Sequence, residues 1–342
     1  MGFGATPQGL PLLFCRIARN GIAILRGIEY NIEWMMSSER GERMDAERFV
    51  RNGIPMRENC PLAPLSSFRI GGTAQLALFP QTKAQLLTCL DLARRENVPF
   101  EVVGNGSNLL FPDGVYTGLM IFTRSLRAAD LTGDTVTAET GVPLPALAGE
   151  ALRAGLSGLE FAQGIPGTVG GGVFMNAGAF GGCMADVTAW SEWYDCETGE
   201  TGRFAGDSQQ FGTRTSIYER EKRYILLGAG LKLRSDDPSA IRARMEAFRD
   251  RRRRTQPIDL PSAGSIFRHP PGAFAGKLIE DCGLKGTRIG GAEVSEKHAG
   301  FIVNVGGATA RDVADLIALI RERVERQTGY RLECEVRTVG FR

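Results

Sequence analysis

Gly164-Ile165-Pro166-Gly167-Thr168-Val169-Gly170-Gly171-Gly172-Val173-Phe174-Met175-Asn176-Ala177-Gly178-Ala179-Phe180-Gly181-Gly182 places eight glycines in nineteen residues. Such density admits left-handed backbone and lets the main chain approach a flat or charged ligand closely. A flexible linker would be rich in serine and charge, whereas this run keeps Ile165, Val169, Val173, Phe174 and Phe180. It reads as a loop cradling a buried cofactor, with a bulged, glycine-kinked loop as the plainer alternative.

The run belongs to a chain of 342 residues with 44 glycines, close to twice the usual ~7%. No glycine triplet period exists, which excludes collagen, and 16 prolines are too few for low-complexity disorder. With 43% hydrophobic and 23% charged residues, the chain has material for sizeable cores, and its length suggests about two domains. The 41 basic and 39 acidic residues nearly balance, so no electrostatic footprint of a nucleic-acid binder is present. His269 and His298 are the only histidines, which rules out a histidine-rich metal site, and no metal is expected. Seven cysteines with no CxxC pattern read as reduced thiols of a cytoplasmic protein. No run approaches the ~18 apolar residues of a membrane helix, and Arg16, Arg19 and Asn20 interrupt the nearest one, Leu10–Leu25. A monomer without membrane or nucleic-acid partners is expected. Residues 1–55, with internal methionines at Met35, Met36 and Met44, read as a poorly ordered extension.

From residue 56 the pattern is regular. Strands are predicted at Leu76–Phe79, Phe100–Val103, Leu119–Thr123, Thr135–Thr140, Trp190–Asp195 and Tyr224–Leu233. Thr82 is placed to cap a helix running to Asn97, and a second helix starts at Leu144 and stops at Gly155. Asp237-Pro238 reads as a cap with proline at the first helical position, opening a helix over Ser239–Arg253. A loop at 255–265, a helix over Ala275–Cys282 and a strand at Gly300–Asn304 follow. Thr309 then caps a helix with the stripe Val313, Leu316, Ile317, Ile320 and Val324, stopped by Gly329. Residues 331–336 are expected to return as a strand. The mixture argues an α+β protein.

A second glycine loop, Gly104-Asn105-Gly106-Ser107-Asn108, follows the strand Phe100–Val103. Backbone amides in such a loop suit an anion, although a plain tight turn explains it equally well. It is not a dinucleotide fingerprint, because Leu109 stands where GxGxxG requires glycine.

These loops sit in an ordered series. Ser66-Ser67-Phe68-Arg69-Ile70-Gly71-Gly72 precedes both, and Pro261-Ser262-Ala263-Gly264-Ser265-Ile266-Phe267 and Leu332-Glu333-Cys334-Glu335-Val336 follow. With the five motifs in this order over roughly residues 56–342, the sequence resembles the UDP-N-acetylenolpyruvoylglucosamine reductases. The resemblance implies a two-lobed FAD-binding domain of the vanillyl-alcohol-oxidase (PCMH) type at 56–237. A smaller α+β substrate-binding domain would occupy 238–342. It implies FAD as cofactor and NADPH as reductant, with reduction of UDP-N-acetyl-3-O-(1-carboxyvinyl)-glucosamine to UDP-N-acetylmuramate in peptidoglycan precursor synthesis. The alternatives are an FAD oxidoreductase of the same fold with another substrate, or a flavin or sugar-nucleotide binder without activity.

By this resemblance Ser265 is the proton donor, Arg214 polarises the substrate carboxylate, and Glu335 helps hold the enolate-like intermediate. A planar, permanently charged guanidinium suits a carboxylate, and a partly buried Glu335 would have a shifted pKa. FAD contacts are implied for Arg69 in the first motif and for Gly104, Asn105, Gly106, Ser107 and Asn108 in the second. In the glycine run they fall on Gly164, Pro166, Gly167, Gly170, Gly171, Asn176, Ala177 and Gly178. The run Arg251–Arg254 is either a solvated helix end or a grip on the UDP diphosphate, with Arg254 the candidate; His269 is a further candidate for substrate. Thr213, His269 and Cys334 depart from the residues usual in the family. The short link from Leu233 to Pro238 leaves no room for an added substrate-covering loop, which matches the compact (type II) form.

Overall fold

The computed structural model describes residues 47–339 and, apart from them, an antiparallel hairpin of Ile22–Leu25 with Ile28–Asn31. Most of the expected extension lies outside the described residues. Residues 47–55, however, are packed rather than poorly ordered. The short helix α1 (Glu47–Arg51) buries Phe49 at 1% exposure, and Ile54 follows at 2%, so apolar burial begins before residue 56.

The first sheet contains β1 (Met56–Pro61), β2 (Thr73–Leu78), β3 (Phe100–Val103) and β4 (Val115–Phe122), in the order β1-β2-β4-β3. Strands β2 and β3 run parallel to β4, whereas β1 pairs antiparallel. Helix α2 (Lys83–Arg95) crosses over between β2 and β3 and buries Leu86, Cys89, Leu90 and Ala93. Its expected cap is present, since Thr82 Oγ1 accepts from the Gln85 amide at 3.2 Å.

The second sheet is wholly antiparallel. It takes β5 (Ala129–Thr132), β6 (Thr135–Glu139), β7 (Thr188–Asp195), β8 (Thr201–Ala205) and β9 (Tyr224–Lys232) in the order β8-β7-β9-β6-β5. Helix α3 (Leu144–Arg153) shares its core. Part of the glycine run is not a loop: Val169–Phe174 forms helix α4, capped by Thr168 Oγ1, which accepts from the Gly171 amide at 3.4 Å. Its glycines serve close packing. A Cβ on Gly170 would stand 1.9 Å from Thr140 Oγ1, and one on Gly172 would stand 3.0 Å from Leu144 Cδ1.

The remaining residues build a third layer. Helix α5 (Pro238–Thr255) starts on Asp237, whose carboxylate accepts from the amides of Ser239 and Ala240. Strand β10 (Ser262–Ser265) occupies part of the segment read as loop, because it pairs with β13 (Phe301–Asn304). After helix α6 (Ala275–Asp281) come β11 (Arg288–Ile289) and β12 (Ala292–Val294), and the four strands lie in the order β10-β13-β12-β11. Helix α7 (Ala310–Thr328) buries the predicted stripe and ends at Gly329, whose φ is +76°. Residues 331–336 are extended but not a strand. A single bridge joins Cys334 to Phe267, and pairing resumes at β14 (Arg337–Thr338), parallel to Leu109–Leu110.

Ties between the layers are specific. Phe68 and Ile70, from the turn before β2, are buried in the core of the third layer. Asn304 Nδ2 donates to the carbonyls of Phe68 and Arg69 at 3.2 and 3.4 Å. The Asp113 carboxylate accepts from the first amides of α7, Ala310 at 2.7 Å and Arg311 at 3.0 Å. Among the described residues no helix is long and apolar enough to cross a membrane.

Two substitutions test this packing by chemical denaturation. Phe49→Ala is expected to destabilise by about 3–5 kcal/mol, as for a fully buried phenylalanine, and an effect under about 1 kcal/mol would place α1 outside the cooperative fold. Thr309→Ala, which removes the α7 capping box, is expected to cost about 1 kcal/mol.

Candidate active site

The three layers meet at a cleft of about 510 Å³. Its floor is formed by segments far apart in sequence. Ser67 and Arg69 come from the turn before β2, and Ser107 and Asn108 from the loop after β3. Gly164–Pro166 and Ala177–Ala179 flank α4, and Arg214, the 256–265 segment, Phe301 and Glu335 close it.

Arg214 occupies the tip of a tight turn in which Gly212 and Thr215 exchange backbone hydrogen bonds. The turn holds its φ at +55°, a conformation that costs a non-glycine residue about 1–3 kcal/mol and survives only where the surroundings enforce it. The enforcement is visible. Asn176 Nδ2 donates to the Gly212 carbonyl at 2.9 Å, while its Oδ1 accepts from the Ala185 amide at 2.9 Å. Arg214 in turn donates to the Gly178 carbonyl at 3.1 Å and lies 3.0 Å, through Nε, from Glu335 Oε1. Asn176, Arg69 and Phe180 also have positive φ: Arg69 lines the cleft as Arg214 does, Asn176 braces the Arg214 turn from behind, and Phe180 lines a second cavity.

The Glu335 carboxyl is only 13% exposed. Burial pushes its pKa above the ordinary glutamate value, against the opposing pull of the Arg214 charge. Its main chain is clamped on both sides. The Glu335 amide donates to the Ile266 carbonyl at 2.7 Å, and its carbonyl accepts from Asn108 Nδ2 at 3.1 Å. Ser265, beside Ile266, ends β10 after Gly264, whose φ of +77° turns the strand into the cleft edge. Ser265, Arg214 and Glu335 therefore line one cleft, although 70 or more residues separate any of them from Glu335.

The donors suit a dinucleotide cofactor. The amides of Gly104 to Asn108 make no hydrogen bond among the described residues. The loop also has no room for side chains where it bends: a Cβ on Gly106, at φ +63°, would stand 2.6 Å from the Leu65 carbonyl oxygen, and one on Gly104 would stand 2.5 Å from Thr168 Oγ1. This is a curved backbone with open amides, the form that binds pyrophosphate.

Seven of the expected FAD residues line the cleft: Arg69, Ser107, Asn108, Gly164, Pro166, Ala177 and Gly178. The others stand behind it. Gly104, Gly106 and Gly170 make room for neighbouring backbone and side chains, the Gly171 amide donates to the Thr168 cap, Asn105 Nδ2 ties its loop to the Pro166 carbonyl at 3.0 Å, and Asn176 braces the Arg214 turn. Gly167 lies just outside the lining, with its amide oxygen bonded to the Leu144 amide at 3.0 Å. Arg254 and His269 are exposed and do not line the cleft; His269 Nδ1 accepts from the Ala275 amide at 3.3 Å. The arginine that does enter is Arg252, two residues earlier on the helix. Sequence reasoning also missed the run Gln256–Pro261, whose only signal was its position next to the Ser265 motif.

Comparison with known proteins defines the class first. Residues 74–204 match the model of an FAD binding domain, so the chain is a flavoprotein of the oxidoreductase type. Residues 256–339 match the model described as UDP-N-acetylenolpyruvoylglucosamine reductase, C-terminal domain. Curated proteins of that name are 44% identical over 281 residues in Alkaliphilus oremlandii, covering 82% of this chain and 92% of that one. In Caldicellulosiruptor bescii the identity is 45% over 302 residues, covering 87% and 95%. The crystal structure of the reductase from Thermus caldophilus superimposes with a TM-score of 0.71 at 35% identity, covering 83% of this chain and 98% of that one. The chain belongs to the UDP-N-acetylenolpyruvoylglucosamine reductase family.

The buried carboxyl predicts a pH effect. A Glu335 pKa raised by folding means that the stability favouring its neutral form is complete below the unfolded-state pKa and is lost as pH rises through the folded value. Glu335→Gln, which cannot ionise, is expected to lose less stability than the wild type over that rise. Parallel unfolding midpoints against pH would contradict a desolvated carboxyl.

Proposed function

We propose that the protein reduces the enolpyruvyl ether of UDP-N-acetylglucosamine to UDP-N-acetylmuramate, with FAD resident in the cleft and NADPH as reductant. The observation that carries this reading is the convergence of Ser265, Arg214 and Glu335 on the same cleft as the open amide loop. Bound FAD supplies the hydride that adds to the methylene carbon, and NADPH replenishes it. Ser107, Asn108, Arg69 and the backbone at Gly164–Pro166 and Ala177–Gly178 are the residues to hold the cofactor.

The chain's own residues then manage charge and proton. As the methylene carbon gains hydride, negative charge builds on the α-carbon and spreads into the substrate carboxylate. Arg214, preset by its strained turn, offers a fixed cation to that carboxylate, the preorganised stabilisation that lowers such barriers. Glu335 would repel an arriving anion if ionised. Burial raises its pKa, which eases uptake of a proton as that anion arrives, and a protonated carboxyl donates a hydrogen bond instead of repelling. Ser265 Oγ gives its proton to the α-carbon, completing addition of hydride and proton across the double bond, and recovers a proton from solvent. The short link between β9 and α5 supports the compact family form, and the reading extends to peptidoglycan precursor synthesis by a cytoplasmic monomer.

Purified protein is expected to show flavin absorbance and to oxidise NADPH faster when the enolpyruvyl substrate is added. Oxidation unaffected by that substrate would defeat the reading. In stopped-flow measurements Ser265→Ala should keep flavin reduction by NADPH near the wild-type rate while slowing reoxidation by substrate about 10²–10⁴-fold, the usual worth of a positioned acid. Equal losses in both half-reactions would remove the proton-donor role.

A further inference from the structure

Arg252 is a cleft cation without a counterion. Among the described residues it makes no ion pair; one terminal nitrogen donates to Gln256 Oε1 at 3.0 Å, and its buried Nε has no partner. Its surroundings are built around it. The guanidinium carbon lies 5.4 Å from the centre of the Phe180 ring, and that ring, on a residue held at φ +55°, stacks on Phe248 at 4.8 Å. On the other side stands Gly164, where a Cβ would come within 2.4 Å of Arg252 Nε.

Another cavity gives the contrast. There Arg244 pairs with Glu160 and Asp236, and Lys232 pairs with Asp134. Arg214 is likewise engaged with Glu335. A buried charge left unmatched is destabilising, and a fold that braces one with an aromatic face and a missing side chain does so for an anion that arrives with the ligand. The guanidinium fork fits phosphate oxygens, and burial makes each such contact stronger than at the surface.

We propose that Arg252 is a phosphate-binding residue of the cleft, holding a diphosphate oxygen through its guanidinium group. This rests on the reading above, in which two diphosphates are available: that of the sugar nucleotide and that of the flavin dinucleotide. The chemistry is shared, and the experiment separates the sources.

Arg252→Gln is compared, as holoenzyme, with Arg249→Gln, an equal charge change on the exposed side of α5. Three quantities are read: the inhibition constant of UDP, kcat and KM for the enolpyruvyl substrate, and FAD affinity after reconstitution. A 10- to 100-fold weakening of UDP inhibition and of KM with kcat nearly unchanged assigns Arg252 to the sugar nucleotide, consistent with loss of a charge-assisted hydrogen bond. A comparable loss of FAD affinity with UDP inhibition unchanged assigns it to the cofactor. Gly164→Ala, which displaces Nε but keeps the charge, should move the same quantity in the same direction, and it serves if Arg252→Gln does not fold. The proposal is overturned if all three quantities match the Arg249→Gln control, or if kcat alone falls. Should the wild type not turn over the enolpyruvyl substrate, the activity reading fails, while UDP and FAD binding still decide the role of Arg252.

Discussion

The site depends on how the segment 333–337 is held. The segment bonds alternately to two layers: the Glu333 carbonyl accepts from the Arg268 amide and the Glu335 amide donates to Ile266, while the Glu335 carbonyl and the Arg337 amide bond to Asn108. This stitching determines where the Glu335 carboxyl lies, and therefore that it is buried beside Arg214. Without it, the layers bearing Ser265 and the open amide loop would be held together only by their other ties. The remaining ties, Asn304 to the Phe68 turn and Asp113 to the head of α7, reinforce the same approach of third layer to first.

Within that frame the chemistry is organised by unequal treatment of charge. The Arg214–Glu335 pair is compact and partly desolvated, and burial raises the pKa of the carboxyl against the pull of the Arg214 charge. Among the described residues Arg252 has no ion pair, whereas Arg244, in the second cavity, pairs with both Glu160 and Asp236. A cleft meant for a ligand with several negative groups is expected to hold excess positive charge only where the ligand brings its own compensation. Strained backbone follows the same map, at Arg69, Asn176, Phe180 and Arg214.

Local signals in the sequence predicted local structure well. Thr82, Asp237-Pro238, Thr309 and Gly329 mark helix ends because capping is decided within a few residues, and each stands where expected. Helix α4 was hidden, since three consecutive glycines oppose helix formation on propensity alone; its existence is a tertiary effect of packing against Thr140 and Leu144. Residues 331–336 looked like a strand because extended backbone is needed there, but the partners alternate between layers, so no ladder forms. Arg252 could not be told from Arg254 in a run of four arginines. Successive helical residues point about 100° apart, and only the docking of α5 decides which enters the cleft.

The bond from Asn108 to Glu335 spans 227 residues. Closing so long a loop is entropically unfavourable until the layers it joins already exist, and contacts of this kind are slow to form. The layers bearing the amide loop and Ser265 rest largely on contacts within each sheet, so they are able to mature first. Catalytic competence is then the last property the folding chain acquires, and a molecule that has packed its cores but not docked this segment is a near-native species without an assembled active site.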